Sequence, residues 1–143
     1  MATDPYAYST LIDLALAKLK TLDSGASFVW SNTLDPTKIA TRTVLLTPGS
    51  QPLDFPALTR GGRERDAQLA VTVLDKALPG TTTTINSDVD FLVQIADAFD
   101  CGQFGQWKCN GIDFPLLCDP ELVNQGCYQG VVNLHFICYA KKA

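Results

Sequence analysis

The sequence predicts an α+β fold: a mostly antiparallel sheet with two helices packed on one face. Two observations carry this first. The runs Gln68 to Leu74 and Tyr128 to Tyr139 alternate with period two, as half-buried strands do. The runs Pro5 to Leu22 and Val89 to Phe99 instead carry apolar stripes at period 3.6. The third observation is order. Helix, two strands, a long irregular stretch, a strand, a helix and further strands leave little room for βαβ crossovers, so the sheet should be antiparallel with its helices segregated.

The first helix is expected over about Pro5 to Leu22. Asp4 offers a side-chain acceptor at the N-cap, and Pro5 suits the first helical position. Tyr8, Leu11, Ile12, Ala15, Leu19 and Leu22 form the stripe, and Lys18 and Lys20 complement the dipole near the C-terminal end. Asp23-Ser24-Gly25 should end it. Phe28-Val29-Trp30 and Arg42 to Thr47 are short strand candidates that could pair as a hairpin with a long tip around the Asp35-Pro36 turn signal.

Pro48 to Asp66 is the least regular region, and it is expected to be an irregular loop, neither helix nor continuous strand. It holds Pro48, Gly49, Pro52, Pro56, Gly61 and Gly62. Structureless loops of this length are uncommon unless functional or disordered. Its second half sets Phe55 and Leu58 beside Arg60, Arg63 and Arg65, which is the chemistry of interface hot spots. These five residues are the candidate subunit or partner interface.

In the central strand Leu69, Val71 and Val73 point one way and Gln68, Ala70 and Thr72 the other; Leu74 breaks the polar side. Pro79 to Asn86 reads as a loop. Ser87 followed by Asp90 resembles a capping box and sets the start of the second helix at Asp88. Val89, Leu92, Ile95, Ala96 and Phe99 make its stripe, better read as core than as a ligand box, and the preceding strand is the nearest apolar surface for it. Asp88 and Asp90 read as solvated, favoured by the helix N-terminus. Trp107 falls in a short strand, and Phe114 to Cys118 in another strand or extended edge. Asp119-Pro120-Glu121-Leu122 reads as a turn or one helical turn. The last strand puts Tyr128, Gly130, Val132, Leu134, Phe136 and Cys138 on an apolar face, and Gln129, Val131, Asn133, His135, Ile137 and Tyr139 on a mixed one.

The chain has 143 residues, 46% of them hydrophobic, enough for one domain with a real core. Eleven basic and 15 acidic residues give a net charge of −4, which argues against a protein whose main task is gripping nucleic acid. Met-Ala-Thr-Asp-Pro lacks the basic start of a signal peptide, and Leu11 to Leu22 is interrupted by charge. A cytoplasmically made protein with no membrane segment is the expectation. Cys101, Cys109, Cys118, Cys127 and Cys138 are odd in number and lack C-x-x-C spacing, so they read as small reduced hydrophobes rather than disulfides or zinc ligands.

No phosphate loop, nucleophile elbow or H-E-x-x-H appears, and His135 is the only histidine. No catalytic, cofactor or metal residue is therefore assigned, and an enzyme is not expected.

The layout resembles the small tail-terminator and tail-completion (neck) proteins of long-tailed bacteriophages. The features that carry the resemblance are the N-terminal helix, Arg63 to Asp66 entering a strand, the helix Val89 to Asp97, the Asp119 to Leu122 segment and the closing strand Tyr128 to Tyr139. The resemblance implies a structural virion subunit of the tail or neck, assembled in the host cytoplasm. It would form a ring with itself, commonly a hexamer, capping the tail-tube protein and meeting the head connector or head-completion protein. DNA would pass through without specific binding, which suits the acidic balance. It also points to Pro48 to Asp66 as the reach toward neighbours. The alternative from the residues alone is a ligand-binding or enzymatic α+β domain with no recognisable site.

Overall fold

In the computed structural model, residues 4–22, 27–30, 41–58, 62–76 and 83–141 are described. The elements are α1 (Tyr8–Leu22), β1 (Ser27–Trp30), β2 (Thr43–Leu58), β3 (Gly62–Lys76), α2 (Thr83–Phe99), β4 (Gln103–Phe104), β5 (Trp107–Leu116), α3 (Pro120–Asn124) and β6 (Cys127–Lys141). All six strands join one sheet in the order β1-β2-β3-β6-β5-β4. Every pairing is antiparallel except β1 with β2, so the architecture is the α+β fold that the alternation and the stripes predict.

The centre of the sheet is β3 against β6, paired without a break from Gly62 opposite Lys141 to Lys76 opposite Cys127. Opposed residues share a face. Ala67, Leu69, Val71 and Val73 of β3 therefore lie with Phe136, Leu134, Val132 and Gly130 of β6, and all of these are buried. Val44 and Leu46 of β2 extend the same face.

The two long helices cover it. Leu11, Ala15 and Leu19 of α1 are completely buried. The Tyr8 hydroxyl, near the helix start, donates to the Gln68 carbonyl at 2.7 Å. Helical structure begins at Tyr8 rather than Pro5, because Asp4 first closes a turn: its carboxylate accepts from Tyr6 N at 2.9 Å and its carbonyl from Thr10 Oγ1 at 2.6 Å. In α2, Leu92, Ile95, Ala96 and Phe99 are buried and Val89 half-buried, as the stripe requires. The helix lies mainly over β6, however, and only secondarily over the strand that precedes it.

Several expectations are corrected. The stretch Pro48 to Asp66 is not an irregular loop: residues 43–58 and 62–76 are the two arms of a long hairpin. Its prolines are tolerated because β2 is irregular where they fall. Residues 49–52 stand against the single residue Gln68, and Phe55 and Pro56 against Arg65. Beyond Leu46 that strand also has no partner on its outer side among the described residues, so a missing N–H there breaks no ladder.

The pair β1–β2 is parallel, Ser27 opposite Thr43, not a hairpin. Parallel neighbours need a crossover of about a dozen residues, and residues 31–42 provide that length. The Asp35-Pro36 turn and the Asp23-Ser24-Gly25 stop lie outside the described residues. Helix α2 starts at Thr83, ahead of Asp88. Ser87 is thus inside the helix, and its hydroxyl accepts from Arg42 instead of capping. Finally, the two strand candidates around Trp107 and Phe114 are one strand, with Pro115 absorbed in a register shift between Asp113 and Leu116.

The turn into β5 and the end of α2 depend on backbone freedom. Phe104 pairs with Trp107 across a two-residue turn, and Gly105 there has a φ of +62°. Cys101 follows α2 with a φ of +55°, a left-handed helix end usually made by glycine. Phe99 stacks on Phe104 at 4.8 Å, and Phe136 meets both edge-on at 6.3 and 5.9 Å, so one aromatic trio ties α2, β4 and β6 together. At α3, Asp119 caps the helix by accepting from Glu121 N at 3.0 Å, with Pro120 at the first position.

Candidate functional site

Four of the five candidate interface residues, Phe55, Leu58, Arg63 and Arg65, fall on the outer half of the β2–β3 hairpin. Leu58 is paired with Arg63, next to the hairpin tip. Phe55 lies in the second irregularity of β2, opposite Arg65. Arg60 lies outside the described residues. The fold therefore brings Phe55, Leu58, Arg63 and Arg65 to one end of the sheet, on a ladder that β6 extends through Ala140 and Lys141.

Arg65 is not simply presented to solvent there. It is half-buried, and its guanidinium donates to the Tyr6 carbonyl, tying the turn before α1 to β3. Cys138, its cross-strand partner, is buried, and burial pushes the thiol up to about 11. Arg65 thus has a structural role that its sequence context did not suggest.

The sequence reading missed a second cluster, on the opposite end of the central strands. Asp88 is completely buried, not solvated. Arg42, just ahead of β2, donates from Nε to Asp88 Oδ1 at 2.9 Å and from its terminal nitrogen to Ser87 Oγ at 3.0 Å. The same Nε lies 3.9 Å from Asp75 Oδ2, at the end of β3. The guanidinium carbon sits 4.6 Å over the Phe91 ring. Two carboxylates therefore share one arginine in a site with little water. Asp88 is pushed up to about 7, first by burial, then by the hydrogen bond and the charge of Asp75, while Arg42 pulls the other way.

A sequence signal for this existed. Asp88, Leu92, Ile95 and Phe99 fall at i, i+4, i+7 and i+11, so Asp88 continues the apolar stripe and had to be buried. The chemistry of the cluster is ionic and structural: it locks the start of α2 to the ends of β2 and β3.

His135 lies on the mixed face of β6, where its Nε2 is 2.8 Å from Asp113 Oδ1 on β5. Both side chains are substantially exposed, and the nearest cysteine on β5, Cys109, is buried with the opposite face. Among the described residues no group of three or more His, Cys, Asp or Glu side chains is placed to hold a metal ion. All five cysteines are free thiols; Cys109, Cys127 and Cys138 are buried, Cys118 is half-buried and Cys101 exposed. No helix among the described residues is long and apolar enough to cross a membrane.

The class defined by these features is an α+β domain: one largely antiparallel sheet with helices on one face and a long β2–β3 hairpin within it. The chain is similar in fold, with a TM-score of 0.53 and 16% identity, to a chain of the virion of a native gene transfer agent particle. The match covers 96% of this chain and 99% of that one, so the two share the whole fold rather than a fragment. No protein-family model and no curated protein sequence matches the chain.

Proposed function

We propose that this chain is a structural virion protein of the head–tail junction: a ring-forming tail terminator that caps the tail tube and joins it to the head connector. The observation that carries the reading is the shared fold along the full length of both chains with a subunit of a phage-like virion. The reading is also supported by the resemblance in sequence layout to tail-terminator proteins, whose closing strand corresponds to β6 here. It involves no catalytic step and no cofactor. DNA passes the ring without specific binding, in keeping with a net charge of −4.

The hairpin end that carries Phe55, Leu58 and Arg63 is the natural reach toward a neighbour or the tube, since it extends the sheet at the end away from the Arg42–Asp88 cluster. The test is direct. Purified protein is imaged by negative stain alone and after mixing with tail tubes of the same particle. Closed rings, hexameric in this reading, and capped tube ends are expected. A persistent monomer that leaves tubes uncapped overturns the proposal.

A further inference from the structure

One oxygen of the Arg42 cluster is left over. Asp88 Oδ1 accepts from Arg42 Nε at 2.9 Å, whereas Asp88 Oδ2 is buried with no donor set against it. An ionised carboxylate can only accept, so a buried oxygen without a donor carries its desolvation cost in full. A proton on Oδ2 removes that cost by turning the oxygen into a donor.

Asp75 is the acceptor for such a donor. It lies within side-chain hydrogen-bond reach of Asp88. Its place on β3 puts it there: Asp75 follows Leu69, Val71 and Val73 at period two and stands opposite Tyr128, on the face that the helices cover. Its two oxygens are divided. Oδ1 accepts from the Lys76 backbone N–H at 2.8 Å, and Oδ2 faces the cluster, 3.9 Å from Arg42 Nε.

The surrounding groups do not compete for the proton. Arg42, ahead of β2, is a donor only. On β3, Lys76 falls on the opposite face by the same alternation. On α2, Ser87 Oγ accepts from Arg42, and Asp90 is exposed. On β6, the Tyr128 hydroxyl donates to the Leu117 carbonyl at 2.6 Å, and burial, then the charge of Asp88, raises it well above its ordinary range and keeps it neutral. The Cys127 thiol, opposite Lys76, is buried and lies 3.5 Å from the Tyr128 carbonyl.

We propose that Asp88 Oδ2 donates a shared proton to the Asp75 carboxylate, and that this carboxyl–carboxylate pair is a pH-sensitive latch between the end of β3 and the start of α2. Two acids in contact cannot both ionise cheaply, so the pair holds one proton more tightly than either acid would alone. Strand β3 ends at Lys76 and α2 begins at Thr83, so the latch joins consecutive elements. Arg42 keeps its short contact to Asp88 when the proton leaves. Asp75, the more distant acid, has a side chain that retains 17% exposure, and it turns toward water. The latch is closed at acid pH and opens as pH rises through about 7. The helix and the sheet both persist, and the joint between them loosens.

The experiment follows the Asp75 and Asp88 carboxyl carbons by NMR between about pH 4.5 and 8.5 in wild type, D75N and D88N, with circular dichroism to check that each is folded. Amide protection is read at Lys76 and in the first turns of α2. In wild type both carboxyl signals should move together near pH 7, and amide protection at these positions should fall through the same range. In D75N the negative charge is gone and the new amide can donate, so the Asp88 midpoint should drop by about one pH unit or more, about tenfold in proton affinity. In D88N the amide donates to Asp75 at every pH. The Asp75 response near pH 7 and the pH dependence of protection should then both disappear.

An Asp75 signal that does not respond at the Asp88 midpoint overturns the shared proton. So does an unchanged midpoint in D75N, which assigns the effect to burial alone. Should D75N fail to fold, D88N decides: protection that still falls near pH 7 in that variant rejects the latch.

Discussion

Arg42 Nε lies 2.9 Å from Asp88 Oδ1, and Asp88 has no exposure to solvent. A second carboxylate, Asp75, shares the same arginine at 3.9 Å. One cation therefore faces two acids, an arrangement that together with burial favours the protonated form of Asp88. The folded-state value of about 7 lies above the ordinary 3.8. Folding then takes up a proton between those values, so the contribution of Asp88 to stability is fully present below about pH 4 and is lost as pH rises through about 7. Asp88→Asn keeps a neutral group of the same shape. Its urea-unfolding free energy, measured between pH 4.5 and 8 (about the span of the two values), should fall with pH less steeply than that of wild type. Parallel pH profiles for the two proteins sink the assignment.

The same pair makes Arg42 indispensable at neutral pH. Arg42→Met leaves Asp88 and Asp75 together without their cation, and breaking a buried pair this way costs about 3–5 kcal/mol. The loss should shrink at pH 5, where Asp88 is protonated. A loss of equal size at both pH values shows that the packing of Arg42 on Phe91, rather than its charge, supports the site.

The sequence was most legible where one pattern met one surface. Strand β6 shows it: the buried face Tyr128 to Cys138 and the more open face Gln129 to Tyr139 follow the alternation residue by residue. The α2 stripe was equally plain, but Asp88 was read by its charge instead of its position, because a carboxylate can be buried only with a partner and Arg42 lies 46 residues away in the chain. Strand β2 was hidden for a different reason. Pro48, Pro52 and Pro56 argue against a strand only where every N–H is needed, and the irregular, one-sided ladder that excuses them is a tertiary fact. The parallel pairing of β1 likewise depends on what lies across the sheet. For the candidate site, position along the chain was legible and role was not. Arg65 and Arg63 look alike in sequence, yet Arg65 is bound to the Tyr6 carbonyl.

Gly130 provides a packing test. A Cβ at this position would overlap Leu92 Cδ1 and the Tyr128 hydroxyl. Leu92 is the α2 residue pressed on β6 here, and the Tyr128 hydroxyl is already committed to the Leu117 carbonyl at 2.6 Å. Neither can move freely, so Gly130→Ala should destabilise by about 1–3 kcal/mol. Adding Leu92→Ala to that variant should cost less than Leu92→Ala costs in wild type, because the two changes share one space. Strict additivity in denaturation midpoints would show that α2 rises off the sheet instead.

Cys101 should respond in the opposite direction. Its φ of +55° is left-handed, its side chain is exposed, and it ends α2 where glycine is preferred. Cys101→Gly removes a backbone cost of roughly 1–2 kcal/mol and gives back part of it in unfolded-chain entropy. A net gain of about 1 kcal/mol is expected, read as a rise of a few degrees in Tm. A fall in Tm would mean that the thiol contact to Asp100, at 3.7 Å, matters more than the backbone strain.

Substitutions at the hairpin end test whether it serves assembly or folding. Leu58 and Arg63 are paired beside the tip, and Phe55 lies in an irregular segment of β2, whereas Arg65 reaches back to the Tyr6 carbonyl. The four arginine and apolar anchors should therefore not behave alike. Combined alanine substitution of Phe55, Leu58 and Arg63 should leave the unfolding transition close to wild type if this end of the hairpin serves a neighbour rather than the core. It should abolish ring formation or tube capping in negative stain if this end meets a neighbour. Arg65→Ala should instead lower stability by about 1–3 kcal/mol, because a charged donor is taken from a carbonyl in a half-buried site. Amide exchange should be faster in the turn before α1 at the same time. Rings that persist unchanged in the triple variant reject the hairpin end as the contact. A triple variant that unfolds with Arg65 still in place shows that the outer ladder, and not the Arg65 tether, holds this end of the sheet.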